Sequence, residues 1–254
     1  MKTMRILTCE DSLEGILSAV HRAYMSRYGH DYITIEAGEN IETRMFVEYE
    51  AVATDYDKAS RVADSIRHKI SNSAYKMVLE AAMSNYNNKA DEIYRFLILG
   101  FKMGAGVVNH LSDNHVNMVF KMSRSVMREY DRLLGFVRFA QLENGLLFSK
   151  LGPKHNQLPL FGDHFADRYP QENWMIYDEK RHTACVHPKG SGWFMTKDLD
   201  IDEGAIKKVS ADETQFSGWW KLFVRTIEIK ERRNPRCQMN MMPKMYWHNM
   251  NELN

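Results

Sequence analysis

The sequence has few cysteines and no long apolar run, and each shortage excludes a class of protein. Its three cysteines, Cys9, Cys185 and Cys237, are odd in number and far apart, so they form neither a disulfide framework nor a CxxC zinc motif. No run of ~18 apolar residues and no signal-peptide core are present, so we expect no membrane span. A reducing cytoplasm is the expected location, with the thiols buried as small hydrophobic groups.

Excess charge of either sign is also missing. Lysine and arginine total 34 and aspartate and glutamate 33, a net charge of +1, so any anion binding has to come from local clustering. The sequence contains no HExxH motif, glycine-rich phosphate loop or GxSxG motif. Common nucleotidases, dehydrogenases and serine hydrolases are therefore not supported, and we expect neither a cofactor nor a metal.

The first half of the chain predicts an opening strand and helix, followed by a helical region. Residues 4–9 have the pattern of a short strand, and the polar residues after them are suited to cap a helix. Further strands are predicted over residues 33–37 and 45–54, the latter with Phe46 to bury. Over residues 55–138 apolar residues recur at three- and four-residue steps, which is typical of helices.

The second half predicts several strands and one long helix. The strands are predicted over residues 136–142, 146–151, 174–178, 183–187 and 193–196. Asn144-Gly145 separates the first two and is a strong hairpin signal. A short helix is predicted over residues 160–169 and a long one over residues 212–233. The predicted buried edge of the long helix consists of Phe216, Trp220, Phe223 and Ile227.

These patterns together predict the α+β class. The N-terminal half is mainly helical after the opening strand–helix, and the C-terminal half is an antiparallel sheet with a long helix. No low-complexity linker marks a boundary, so residues 1–254 are predicted to form a single compact unit. The alternative is a division into a helical part, 1–135, and an α+β part, 136–254.

The long middle helix carries a second stripe, opposite its apolar one. The stripe consists of Lys121, Arg124, Arg128 and Arg132. Steps of three and four residues align these side chains in one ridge of four cations, a geometry that suits a phosphate backbone. The alternative is an ordinary solvated face, partly neutralised by Glu129 and Asp131.

The segment from Ser217 onward is also basic and contains aromatic residues. Its candidate nucleic-acid-binding residues are Arg225, Arg232, Arg233 and Trp247, and Arg168, earlier in the chain, is a further candidate. Guanidinium groups hold phosphates while rings stack on bases, a combination that suits single strands or flipped bases. The alternative has most of the aromatic side chains in the core and the arginines paired with glutamates.

Residues 153–181 contain the densest set of reactive side chains. The candidate catalytic residues are His155, His164, Asp178 and Arg181. A histidine and an aspartate brought together can act as a general base and its orienting partner, while arginines hold an anion. In the structural alternative Asp178 caps a turn, Arg168 pairs with it, and His164 is a buried, hydrogen-bonded histidine.

Two further features are weaker. Cys185 and His187 would point to the same side of a strand, but two alternating ligands are half a metal site. The C-terminal tail is rich in methionine, a residue that adapts to irregular apolar surfaces, so it is either a partner interface or core filling. The methionines are Met239, Met241, Met242, Met245 and Met250.

Several strings distributed over the whole chain resemble one bacterial family. They are Asp11–Leu17 with Ala23-Tyr24, Lys58-Ala59-x-Arg61-Val62, Leu134–Phe139, His155-Asn156, His164-Phe165-x-x-Arg168, Trp174-x-Ile176-Tyr177-Asp178-x-x-Arg181, Glu231-Arg232-x-Asn234 and Met242-Pro243-x-x-Tyr246-Trp247. The chain resembles the bacterial DNA repair or DNA metabolism proteins that carry a domain of unknown function. The resemblance provides no active site to carry over.

The resemblance implies a role in DNA metabolism by association. Members of the family are typically encoded beside a radical-SAM DNA-modification or repair protein, and elsewhere the domain is fused to a module like a uracil-DNA glycosylase. This chain has no such fused region and no CxxxCxxC cluster motif, so it is similar to the stand-alone partner.

Three functional hypotheses follow. The first is a DNA-binding accessory protein that works with a radical-SAM partner and holds phosphates on the Lys121–Arg132 stripe and the basic C-terminal segment. The second is an enzyme that acts on a damaged base or nucleotide, and it predicts that the four candidate catalytic side chains converge in one pocket. The third is a pure interaction module that docks the radical-SAM protein through the methionine-rich tail.

Overall fold

A computed structural model describes residues 3–38, 44–197, 199, 204 and 208–250, without the side chains of Arg225 and Lys230. The chain divides into two compact units, Met1–Arg128 and Glu129–Asn254, and the boundary falls within one long helix. The single compact unit predicted from the sequence stays a prediction.

The described residues of the first unit form a small parallel sheet and five helices, the last of which continues into the second unit. Its strands are β1 (Met4–Cys9), β2 (Ile33–Ala37) and β3 (Val47–Ala51). Its helices are α1 (Leu13–Met25), α2 (Tyr56–Lys69), α3 (Asn72–Ala82), α4 (Lys89–Met103) and α5 (Asn114–Leu134), with 3-10 turns at His30–Tyr32 and Gly104–Asn109. Strand β1 lies between β2 and β3 and is parallel to both. The predicted opening strand–helix and the helical region after it are confirmed.

Polar side chains determine where several of these helices begin. The capping residues are Ser12 for α1, Asp55 for α2, Ser71 for α3 and Asp113 for α5. Each accepts a hydrogen bond from the backbone N–H group three residues later, one of the groups that has no partner within the helix.

The apolar stripes predicted from the sequence form the interior of this unit. Ile66 of α2, Ile93 and Phe96 of α4, and Val119 of α5 are fully buried. The prediction for Phe46 is wrong, because β3 begins one residue later and the Phe46 side chain is exposed. Its φ of 63° places it in the left-handed region, outside the extended strand geometry that would have turned its ring inward.

The described residues of the second unit include a five-stranded sheet and three further helices. Its strands are β4 (Ala140–Gln141), β5 (Leu147–Leu151), β6 (Trp174–Asp178), β7 (Thr183–His187) and β8 (Phe194–Thr196). The helices are α6 (Leu158–Arg168), α7 (Ala211–Ile227) and α8 (Pro235–Met241), with 3-10 turns at Lys230–Arg232 and Lys244–Asn249. The α+β class is confirmed.

The sheet has the strand order β4-β5-β6-β7-β8 and is mixed. The predicted hairpin at Asn144-Gly145 joins the antiparallel strands β4 and β5, and Gly145 adopts the positive φ, 81°, that such a turn requires. The prediction of a wholly antiparallel sheet is wrong at one pairing, because β5 and β6 are parallel. Helix α6 lies between them in the chain and provides the crossover that parallel neighbours need.

Helix α7 does not bury the edge that the sequence predicts. Phe216, Phe223 and Ile227 are exposed, and Trp220 is half-buried. The start of the helix is held at the edge of the sheet, where the carboxylate of Glu213 accepts a hydrogen bond from the backbone N–H of Gln141 at 3.2 Å. The helix turns a different side toward the protein, and its apolar edge remains on the surface.

Candidate nucleic-acid interface

The four cations of α5 lie on one exposed face of that helix. Lys121, Arg124, Arg128 and Arg132 are all exposed. The opposite face is buried and contains Val119, Met122, Val126 and Leu133. Because the cations recur at steps of three and four residues, they follow one line on the helix surface, which we call the basic ridge.

Within the part of the chain that the structure describes, no carboxylate forms an ion pair with the basic ridge. The guanidinium of Arg124 lies 5.6 Å from the centre of the Phe120 ring, a contact that leaves its charge available. Asp131 is exposed on the same helix, but Glu129 is buried. Of the two carboxylates in the solvated-face alternative, Glu129 therefore does not neutralise the ridge, whereas Asp131 lies on the surface beside it; the alternative itself stays open.

The Glu129 carboxylate accepts four hydrogen bonds inside the second unit. The donors are the backbone N–H groups of Lys154 at 2.7 Å and His155 at 2.8 Å, the side-chain amide of Gln157 at 3.1 Å and the hydroxyl of Tyr246 at 2.6 Å. Burial opposes ionisation, but these donors outweigh it and hold the pKa of Glu129 below its usual value. The same burial, together with the neighbouring carboxylate, raises the pKa of Tyr246.

Sequence reasoning missed this buried carboxylate, although the spacing contains its signal. Glu129 follows Met122 by seven residues and Val126 by three, and it precedes Leu133 by four, so it falls on the buried stripe of α5. A carboxylate on such a stripe is expected to have several hydrogen-bond donors around it. No local pattern identifies the donors, because they come from a loop and from the C-terminal region.

The predicted catalytic residues Asp178 and Arg181 are brought together, with Asp178 fully buried and Arg181 partly exposed. Asp178 is fully buried at the end of β6, and one oxygen accepts from the Lys180 N–H at 2.9 Å while the other pairs with Arg181 at 2.7 Å. Arg181 also donates to the carbonyls of Pro153 at 3.3 Å and Lys154 at 2.8 Å. The pair therefore closes a turn and anchors a loop, as in the structural alternative, with Arg181 as the partner in place of Arg168.

The two predicted catalytic histidines are separately placed. His155 is 1% exposed and belongs to the loop that Glu129 and Arg181 hold. His164 is half-buried on α6, with its ring edge-on to that of Phe165 at 4.9 Å. A general base has to reach a substrate proton, and the burial of His155 and Asp178 does not favour that role. The enzyme hypothesis stays a prediction.

The other candidate nucleic-acid-binding residues are distributed over the second unit. Arg168 is exposed, with its guanidinium 5.6 Å from the centre of the Tyr169 ring. Arg232 and Arg233 are exposed, and Arg233 pairs with Glu228 at 3.2 Å. Trp247 is half-buried, and its indole N–H donates to the carbonyl of Met242 at 2.8 Å. The Arg225 side chain lies outside the described residues.

The methionine-rich tail is divided between surface and interior. Met239, Met241 and Met245 are exposed, whereas Met250 is buried. Docking of a partner through the tail stays a prediction.

No metal centre is evident among the described residues, where no group of three His, Cys, Asp or Glu side chains could hold an ion. Cys185 and His187 are both buried on β7, and the His187 ring stacks on Trp174. Burial raises the pKa of the Cys185 thiol to about 12, so it is not poised as a thiolate ligand. The expectation of three buried thiols is wrong for Cys237, which is exposed on α8.

A cavity of about 660 Å³ lies at the carboxyl ends of β1, β2 and β3. Glu10 and Asp11 contribute two carboxylates to its wall. Glu10 accepts a hydrogen bond from Thr54 at 2.8 Å, and Asp11 pairs with the buried Lys89 at 2.6 Å. Two carboxylates in one wall disfavour a phosphate, so the basic ridge is the better candidate for an anionic partner.

Comparison with known proteins identifies a family and a remote structural likeness. A family model described as "Domain of unknown function (DUF4130)" matches residues 87–252. No curated protein matches the chain. A solved DHH domain, described as belonging to a member of a ribosomal-protein family, is similar over 73% of each chain, with 9% sequence identity and a TM-score of 0.33. A likeness this weak carries no argument about fold or function.

In the described part of the chain, no helix combines the length and apolar character needed to cross a membrane.

Proposed function

The chain belongs to the family of the domain of unknown function DUF4130, and we propose that it is a nucleic-acid-binding accessory protein of DNA metabolism. The observation that carries this proposal is the basic ridge, whose four cations are exposed and form no ion pair among the described residues. The ridge lies on α5, within the region that the family model matches.

The spacing of the ridge suits a chain of phosphates. An α-helix rises about 1.5 Å per residue, so the ridge is about 16 Å long and presents a cation every 5 Å or so. Three of its four members are arginines, whose planar guanidinium groups can hold a phosphate through two hydrogen bonds. Helix α5 therefore offers up to four phosphate contacts to one strand of a nucleic acid.

The near-neutral charge of the whole chain means that any binding of nucleic acid depends on a local basic surface. With a net charge of +1, the protein has no general attraction for polyanions, so affinity for nucleic acid has to arise at a local surface. The ridge is such a surface, because Glu129 is turned inward and engaged by four donors. The exposed Asp131 beside it offsets only one of the four cations.

The pathway and partner in this proposal rest on the family resemblance. They are a role in DNA repair or metabolism, joint action with a radical-SAM protein and a cytoplasmic location. The three free cysteines agree with a reducing compartment. Co-purification of a tagged chain with the neighbouring radical-SAM protein, repeated after nuclease treatment, tests whether the partnership is direct.

The DNA-binding proposal is tested by titrating the full chain with single-stranded and double-stranded DNA at a series of salt concentrations. Four phosphate contacts predict that log K falls with log salt with a slope of about −3 to −4. The test variant is Arg124→Ala/Arg128→Ala, which we expect to reduce the slope by about 2.

The matched control is Lys58→Ala/Arg67→Ala, which removes the same charge from exposed side chains already paired with Asp55 and Asp64. We expect the control to bind as the unchanged chain does. A flat salt response, absence of binding, or equal losses in the two variants would contradict the proposal.

A further inference from the structure

Helix α7 presents an apolar face that nothing in the described chain covers. Five large side chains on this face are more than half exposed: Phe216 (59%), Trp219 (61%), Leu222 (64%), Phe223 (52%) and Ile227 (57%). The side that is turned toward the protein is less exposed and contains Ser217, Trp220 and Val224. We call the five-residue surface the α7 face.

We propose that the α7 face is a dimer interface, covered by the α7 face of a second copy of this chain. Phe216, Trp219 and Phe223 stand three, four and seven residues apart, which aligns them along one side of the helix as anchors for another helix. Aromatic side chains of this kind dominate the energy of protein interfaces, and charged residues are depleted there. The five positions contain no charged residue.

The exposed area agrees with a pairing of two copies. A large apolar or aromatic side chain buries about 150–250 Å², so five side chains more than half exposed offer on the order of 600 Å² per copy. A stable interface of standard size takes about 800 Å² from each partner, and contacts around a helix pair supply the remainder. An apolar patch of this size on a single helix is at the upper limit of what monomeric proteins expose.

The charges that flank the face do not call for a partner of opposite charge. Asp212 is exposed in the first turn of α7, and Glu231 and Arg232 are exposed after its end, where Arg233 is paired with Glu228. Acidic and basic side chains thus stay nearly balanced around an uncharged surface, which a second copy of the same apolar face complements through a two-fold axis.

The mass of the full chain in solution tests this proposal, measured by light scattering across a range of protein concentrations. We expect twice the chain mass of 29.7 kDa. The variant Trp219→Ser/Phe223→Ser is expected to return to the single-chain mass with an unchanged circular dichroism spectrum. The control Met25→Ser/Tyr56→Ser alters two side chains that are equally exposed elsewhere, and it is expected to remain dimeric.

Cross-linking tests whether the α7 faces of two copies meet. In a Cys237→Ser background, which removes the exposed thiol, Leu222→Cys is expected to form an intermolecular disulfide on oxidation, and Tyr56→Cys is not. A dimeric chain in which Leu222→Cys forms no disulfide would overturn the pairing of the two α7 faces.

Three outcomes would overturn the dimer itself. The first is a single-chain mass at every concentration, and the second is a double variant that stays dimeric. The third is a monomeric chain that loses DNA affinity in the Trp219→Ser/Phe223→Ser variant, which would assign the face to stacking on nucleic-acid bases.

Discussion

The hydroxyl of Tyr246 donates a 2.6 Å hydrogen bond to the buried carboxylate of Glu129, which lies 117 residues earlier in the chain. The bond ties the last 3-10 turn of the second unit to α5, and the backbone of Lys154 and His155 joins the same carboxylate. One ionised side chain thus holds a helix, a loop and the C-terminal region together.

We expect Tyr246→Phe to lower the free energy of unfolding by about 2 kcal/mol, because a hydrogen bond to a buried carboxylate is lost while the ring is retained. Chemical denaturation measures the change. Tyr56→Phe, at an exposed position on α2, serves as the control and should change stability by less than about 0.5 kcal/mol. Equal effects of the two substitutions would contradict the role of the Tyr246 hydroxyl.

The network also predicts how stability depends on pH. Because the pKa of Glu129 is lowered in the folded state, the ionised carboxylate stabilises the fold fully above its usual pKa of 4.5. That contribution is lost as the pH falls through the folded-state pKa. We therefore expect Glu129→Gln to be less stable than the unchanged chain at pH 7, and the difference to shrink on acidification below the usual value. A difference that is independent of pH would contradict this assignment.

Asp178 is expected to stabilise the fold through its ion pair with Arg181. Asp178→Asn removes the buried charge that pairs with the partly exposed Arg181, and we expect a loss of about 2 kcal/mol. The control is Glu48→Gln, which breaks an exposed pair with Arg5 and should cost less than about 1 kcal/mol. Thermal denaturation compares them. If Asp178→Asn were as stable as the control, the pair would not anchor the turn.

Two helical glycines are expected to respond in opposite directions to alanine. A Cβ at Gly162 of α6 would approach the Trp193 ring to 2.2 Å, so Gly162→Ala should destabilise the protein by about 1–3 kcal/mol. At Gly218 of α7 a Cβ meets nothing within 4 Å, so Gly218→Ala should stabilise the helix by up to about 1 kcal/mol. Melting temperatures of both variants test the contrast, and shifts of the same sign would contradict it.

Charge, more than side-chain shape, should determine the salt dependence of DNA binding by the basic ridge. Arg124→Lys/Arg128→Lys retains both cations, so we expect the slope of log K against log salt to stay unchanged, because counterion release counts neutralised phosphates. The absolute affinity should fall modestly as two bidentate contacts are lost. A slope that falls as far as in the alanine variant would exclude a simple phosphate interaction.

The elements that local patterns specify could be predicted from the sequence. Asp113 caps α5, Asn144-Gly145 forms the turn of the β4–β5 hairpin, and Met122 and Val126 belong to the buried stripe of α5. Each of these features depends on residues only a few positions apart. The basic ridge on the opposite side of α5 follows from the same helical spacing.

Features that join distant segments could not be predicted in this way. Whether β5 pairs with β6 in parallel depends on the path of α6, and the sequence of either strand is compatible with both directions. The donors around Glu129 come from residues 154–157 and 246, so the sequence shows a carboxylate on an apolar stripe without its partners.

The sequence by itself therefore determined the α+β class, most of the helices and the cationic line on α5, because backbone hydrogen bonding and helical periodicity act over short separations. Only the tertiary structure decided that Asp178 and Arg181 close a turn, that Glu129 faces inward and that the apolar edge of α7 faces outward. Burial is a property of what packs against a side chain, and for these residues the packing partners, or their absence, lie far away in the chain.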